Sequence, residues 1–263
     1  AGDSVIFCCR RGEREIELTE AFTDPQFIYF ERTSLDPLYF VILTMYHEKF
    51  KNLPIAFAPS KVSQTLGEVI SNAGMTQFRC SESEKFAHIT FFLNGGHNQP
   101  FQGETDLRIS SPKGISFDQV PALSLEKVAD EVIDSFQRDY DLVVTNFANG
   151  DVIGHTSSTE AKIRCAEIVD YHLQRVVTAA ETKGYVILVT ADHGNLEELY
   201  TSEGTPHVAH TKNLVPFLAI DPLKGESLKP EDGSLQDIAP TILKILSVEK
   251  PAIMTGINLL PDH

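Results

Sequence analysis

Asp192 and His193 stand side by side where an apolar run ends, in the stretch YVILVTADHGN (185–195). A carboxylate and an imidazole at one strand end reach the same cation, and the pair suits a divalent ion of the zinc or manganese kind. A loop aspartate beside a surface histidine is the plainer alternative. Two further segments tip the balance toward a metal. Asp151 and His155 follow the apolar run YDLVVTN (140–146), and His210 precedes the apolar segment that begins at Leu214. Five Asp and His donors divide naturally between two ions, and a two-metal pair can hold both the attacking and the leaving oxygen of a phosphoryl transfer. His207, three residues before His210, is ambiguous and fits an outer partner of a ligand. His47, His88, His97, His172 and His263 have no paired carboxylate in this pattern and read as structural or surface residues. Arg11 and Arg14 lie on one helical face, which makes them either a solvated charged face or a forked anion clamp at a helix start.

These loops need strands that end at them and helices that return the chain. Residues 185–189 lack alternation, which reads as a strand covered on both faces, in a parallel sheet whose carboxyl edge holds ligands. Residues 140–146 read as a second such strand. Between them, 159–182 is the longest helix, with Ile163, Ala166, Val169, Leu173, Val176 and Ala180 as its apolar stripe. Further strands are predicted at 5–9, 39–46, 86–93 and 214–220, with an extended piece at 75–80. Helices are predicted at 15–22, 66–73, 125–136 (N-capped by Ser124) and 235–246. The stretch containing Gly103 and Pro112 reads as irregular, and 49–59 as a crossing between domains. The alternation from Phe86 onward predicts an α/β fold, a mainly parallel sheet sandwiched by helices.

Composition narrows the partners. The chain has 263 residues and a formal net charge of −15, which argues against nucleic acid or an anionic membrane as partner. A small anionic substrate remains compatible, because local cations reverse the field inside a cleft. No apolar stretch has the length of a membrane span. The four cysteines, Cys8, Cys9, Cys80 and Cys165, lack zinc-site spacing and point to a reduced, cytoplasmic setting.

At this level of detail the motifs resemble a known family. NFANGDVIGHT (146–156), TADHGN (190–195) and PHVAHT (206–211) are similar to the cofactor-independent phosphoglycerate mutases, members of the alkaline phosphatase superfamily. TLGE (65–68), ESEKFAHITFFLNG (82–95), DIAPT (237–241) and MTG (254–256) fit as well. The resemblance covers nearly the whole chain. It implies an alkaline-phosphatase-like fold with a remnant of a second α/β domain, the transferase, at the N-terminus. It implies interconversion of 2- and 3-phosphoglycerate through a phosphoserine, with two divalent ions, usually manganese, with magnesium, cobalt or zinc as alternatives. Asp151, His155 and His210 would hold one ion, and Asp192 and His193 the other. Lys85 would meet phosphate in the active site, and Arg11 and Arg14 would match the family's pair of substrate arginines. A cytoplasmic monomer is the expected state.

The departures carry information too. The family has Asn-Phe-Arg-x-Asp-Arg around the arginine pair, where this chain has CRRGER (9–14), and Gly150 replaces a proline before the first metal aspartate. Family members are about twice this length, and their nucleophilic serine and a further metal aspartate belong to an N-terminal part that nothing here matches. The chain therefore reads as the C-terminal half of such an enzyme, inactive alone. Residues 1–57 would be the tail of the transferase domain and 58–263 the larger part of the phosphatase domain, with the missing half as partner. Another phosphomutase or phosphohydrolase of the superfamily, or a non-catalytic metal-binding relative, are the alternatives.

Overall fold

The structure is a computed structural model that describes residues 2–8, 13–58, 62–224 and 226–260. It divides into two compact units, Ala1–Lys61 and Val62–His263. In the first, β1 (Asp3–Phe7) pairs in parallel with β2 (Leu38–Ile42), and α1 (Glu13–Thr23) connects them. Phe40, Ile42 and Phe50 form its core.

The second unit opens with α2 (Leu66–Asn72), β3 (Gln77–Glu82) and α3 (Ser83–Ala87), which runs on into a π-helical segment, His88–Phe92. Then come β4 (Glu104–Ile109), α4 (Leu125–Ser135), β5 (Leu142–Asn146), α5 (Asn149–Gly154) and α6 (Thr159–Thr182). The remainder comprises β6 (Ile187–Thr190), β7 (Phe217–Asp221), β8 (Glu226–Leu228) and α7 (Ile238–Ile245). Strands β4, β3 and β5 form a parallel sheet in that order, with Cys80 opposite Leu107 on one side and Thr145 on the other. Strands β6, β7 and β8 form a second, antiparallel sheet, with Val189 opposite Leu218.

One helical layer serves both sheets. In α4, Leu125, Val128, Ala129 and Val132 recur at the spacing that puts them on one face, and all are buried with Phe78, Cys80, Val176 and Ala180. Val143 of β5 and Ile187 of β6 pack against this same core. Tyr185, just ahead of β6, donates its hydroxyl hydrogen to the carbonyl of Tyr140, just ahead of β5, at 2.8 Å. Among the described residues, β5 is laddered only to β3, and β6 only to β7, so each leaves one edge without a strand partner.

The α/β class and the parallel sheet are as the sequence predicts, but several elements differ. The apolar run 86–93 is helical. Lys85, Ile89, Thr90 and Asn94 are the buried positions, a helical period, and the strand lies just upstream, where the polar-looking Gln77, Arg79 and Ser81 are fully buried. The stretch read as irregular contains β4, whose residues ETDLRI carry no clean alternation. Strand β6 pairs antiparallel to β7 rather than inside a parallel sheet. The buried face of α6 runs through Ala161, Lys162, Cys165, His172, Val176 and Ala180, while Ile163 is 52% exposed. Two polar side chains on that face hid its phase. Ser124 does stand at the α4 N-cap position, but its hydroxyl bonds the Ser110 carbonyl instead of the helix.

Candidate metal centre

Strand β5 ends at Asn146, and α5 begins three residues later. That short helix is what aims the first donors. Asp151 lies inside it and His155 caps it, four residues apart and so on one face. His155 Nε2 lies 3.0 Å from Asp151 Oδ1. His210 arrives from the loop ahead of β7, with Nε2 2.9 Å from the same oxygen and 3.1 Å from His155 Nε2. One ligand atom from each of Asp151, His155 and His210 falls within 4.8 Å of the others.

The neighbouring loop brings its histidine to the same place. The His193 ring stacks on His210 with centroids 3.6 Å apart and planes 17° apart. Its Nε2 is 3.7 Å from Asp151 and 3.6 Å from Asp192, whose side chain is half exposed. Lys85, buried on α3, sets its ammonium 2.5 Å from the other oxygen of Asp151. Burial alone would raise the Asp151 pKa. Lys85, then His155 and His210, outweigh that and lower it to about 2, so this carboxylate is ionised across the physiological range.

The two loops that follow β6 and precede β7 are fastened to each other. The Thr211 amide donates to the Gly194 carbonyl at 3.0 Å. Glu197 accepts from the Asn195 amide at 2.7 Å, from the Asn213 side chain at 3.1 Å and from the Thr211 hydroxyl. A Cβ on Gly194 would fall 2.2 Å from both Glu197 Oε1 and Thr211 Oγ1, so the approach needs glycine. Gly154 likewise packs against the Asn195 side chain, where a Cβ would fall at 2.3 Å.

The donor set fits a divalent cation. One ionised carboxylate and two imidazole nitrogens converge, and the nitrogens are not turned away by partners of their own. His155 Nδ1 is engaged at 2.8 Å with the Val208 carbonyl, which leaves Nε2 free to coordinate, the usual outer-partner arrangement of a ligating histidine. Three protein donors with the rest of the shell open is the form of a catalytic rather than a structural site.

Of the residues singled out in the sequence, Lys85, Asp151, His155, His193 and His210 come together, and Asp192 joins through His193. Arg11 lies outside the described residues, and of Arg14 only the backbone on α1 is described. The His207 ring turns to Glu198, with Nε2 4.0 Å from its carboxylate. The His207 amide bonds the Leu199 carbonyl at 3.0 Å, and the His207 carbonyl accepts from Lys162. His88 was read as structural or surface, yet it lies within electrostatic range of the site. Burial and then Lys85 lower its pKa, while Asp192 and Asp151 oppose them. A lone histidine in an apolar run gave no sign of this; its place one helical turn after Lys85 is the signal that could have.

A family profile described as the metalloenzyme superfamily matches residues 32–250. The 2,3-bisphosphoglycerate-independent phosphoglycerate mutase of Moorella thermoacetica is 46% identical over 262 residues, covering 98% of this chain and 50% of that protein. The enzyme of the same name from Pseudomonas putida is 42% identical over 264 residues, covering 99% of this chain and 51% of that protein. Among solved structures, a Leishmania mexicana phosphoglycerate mutase crystallised at low cobalt concentration superposes with a TM-score of 0.79 at 27% identity, over 95% of this chain and 49% of that one. The chain spans about half the length of the curated relatives it matches.

Proposed function

The chain belongs to the metalloenzyme superfamily, and from that membership we propose that it is the metal-carrying half of a phosphoglycerate mutase. The whole enzyme interconverts 2- and 3-phosphoglycerate through a phosphoserine. The observation that carries this reading is the convergence on Asp151 of His155, His210, His193 and Lys85, in a chain similar over nearly all its length to enzymes of that name.

In this reading Asp151, His155 and His210 hold one divalent cation, and Asp192 and His193 supply part of the shell of a second, with manganese the favoured ion. Such cations, when bound, supply positive charge to phosphoryl oxygens and to the attacking oxygen. Lys85 contributes a further positive charge at the Asp151 carboxylate, within reach of a phosphoryl group. Arg11 and Arg14 bind the substrate's anionic groups as planar forks. Residues 1–57 belong to the transferase domain and 58–263 to the phosphatase domain. The serine nucleophile and the remaining ligands come from the other half of the enzyme, which is the chain's partner in a cytoplasmic monomer.

The test uses the purified chain, cobalt and a separately expressed complementary half. The chain alone takes up cobalt with a visible absorption band, Asp151→Asn weakens uptake at least tenfold, and mutase turnover requires the other half. Turnover by the chain alone, or a preference for phosphopentose over phosphoglycerate in the reconstituted enzyme, overturns the assignment.

A further inference from the structure

Lys162 carries no motif and is 1% exposed, on the first turn of α6. Its ammonium donates to the main-chain carbonyl of His207. Burial lowers its pKa, and no charged neighbour opposes that shift. A buried ammonium whose acceptor is a neutral carbonyl is an expensive way to fill a helix face. Methionine would fill the same volume without a charge. What the charge obtains is the position of one peptide group.

That peptide sits at a consequential place. The next carbonyl along, Val208, accepts from His155 Nδ1 at 2.8 Å. Two residues further, His210 reaches Asp151 at 2.9 Å. Two successive carbonyls of one loop are therefore held from two directions, one by α6 and one by the histidine that caps α5. If the His207 carbonyl were released, the hold from α6 would be gone and the loop would rest on the His207 and Thr211 amides, bonded to the Leu199 and Gly194 carbonyls. The Val208 carbonyl, the acceptor that fixes the His155 ring with Nε2 toward Asp151, would be less firmly placed, and so would the approach of His210.

We propose that Lys162 is a positioning residue for the cation site, acting on His155 and His210 through the backbone of residues 207 and 208. This rests on the reading of Asp151, His155 and His210 as cation ligands. Lys162 touches neither substrate nor cation. It determines tautomer and aim, the contribution outer partners make at metal sites.

The experiment compares Lys162→Met with Val176→Ala, a cavity-forming change in the core further along α6. Both are made in the 263-residue chain, and thermal midpoint without metal and cobalt affinity are both read. Lys162→Met removes a desolvated charge but also the donor to the His207 carbonyl, so its midpoint moves little, yet it weakens cobalt binding by about 10- to 100-fold and alters the cobalt absorption band. Val176→Ala lowers the midpoint and leaves cobalt affinity within about twofold. Lys162→Gln, which retains an N–H donor, recovers part of the affinity and serves if the methionine variant fails to fold. Wild-type cobalt affinity in folded Lys162→Met, or a lowered midpoint with unchanged affinity, overturns the proposal. No cobalt uptake by the unaltered chain would instead remove the metal reading on which it stands.

Discussion

Two carboxylates show how differently environment can treat the same group. Asp151 is held ionised by Lys85 and two histidines. Asp106 stands opposite Arg79 in the β3–β4 register. Burial and then Glu104 push its pKa up to about 6, although Arg79 pulls the other way. Because the folded state holds that proton more tightly than the unfolded chain, Asp106 favours folding fully below about pH 4. The advantage is lost as pH rises through 6, and above that its charge is carried at a cost. Asp106→Asn, which can donate to Glu104 as the protonated acid does, should raise stability by about 1 kcal/mol at pH 8 and leave it nearly unchanged at pH 4. Urea melts at the two pH values check this, and an equal effect at both would show that Asp106 does not titrate in this range. In the sequence, Asp151, His155, His193 and His210 were legible because carboxylates and imidazoles recur at strand ends. Lys162 and Glu197 were not, because each works through folding contacts that spacing does not encode, and His88 would have been legible only had the run after Lys85 been read as helix.

Short elements set the aim of this site, and their geometry was the least legible part. The run FAHITFFL (86–93) has too few residues for period alone to separate strand from helix. What settles it is β3, a strand of alternating polar residues whose Arg79 bonds the Ile89 carbonyl at 2.8 Å and Asn94 at 2.9 Å. That buried network pins the helix that presents Lys85. Helix α6, with its Ser158 cap accepting from Ala161 at 3.2 Å, was legible almost to the residue. Its burial phase was not, since Lys162 and His172 lie on the inner face. Close approach of loops offers a clean test at this scale. Gly194→Ala places a methyl 2.2 Å from Glu197 and Thr211 and should cost about 1–3 kcal/mol, with cobalt affinity falling further than stability explains. Gly150→Ala, on α5 with its nearest neighbour at 3.8 Å, should be neutral or stabilising by up to about 1 kcal/mol. Paired melts and cobalt titrations decide, and equal behaviour of the two variants would show that the 194–211 contact yields freely.

At the scale of the molecule, the α/β class followed from alternating apolar runs and amphipathic helices. The division of the second unit into two sheets did not, because strand order depends on pairings between distant residues. The run at 185–189 looked as covered as that at 140–146, yet β6 turns its ladder to β7 and β5 to β3. Both lie on one helical layer, tied at their starts by Tyr185 and Tyr140, with an edge on each that is unladdered among the described residues. Those edges make an exchange map of the chain uneven in a specific way. In a strand laddered on one side only, alternate amides face the partner and the others face outward, so about half the amides of β5 and of β6 should trade hydrogen for deuterium orders of magnitude faster than their neighbours. Strand β3, flanked on both sides, should be slow throughout. Amide-resolved exchange measured at two protein concentrations reads this directly. Uniform slowness in β5 and β6 at low concentration would mean that something in the chain already closes the seam, and slowness only at high concentration would mean that a second molecule does.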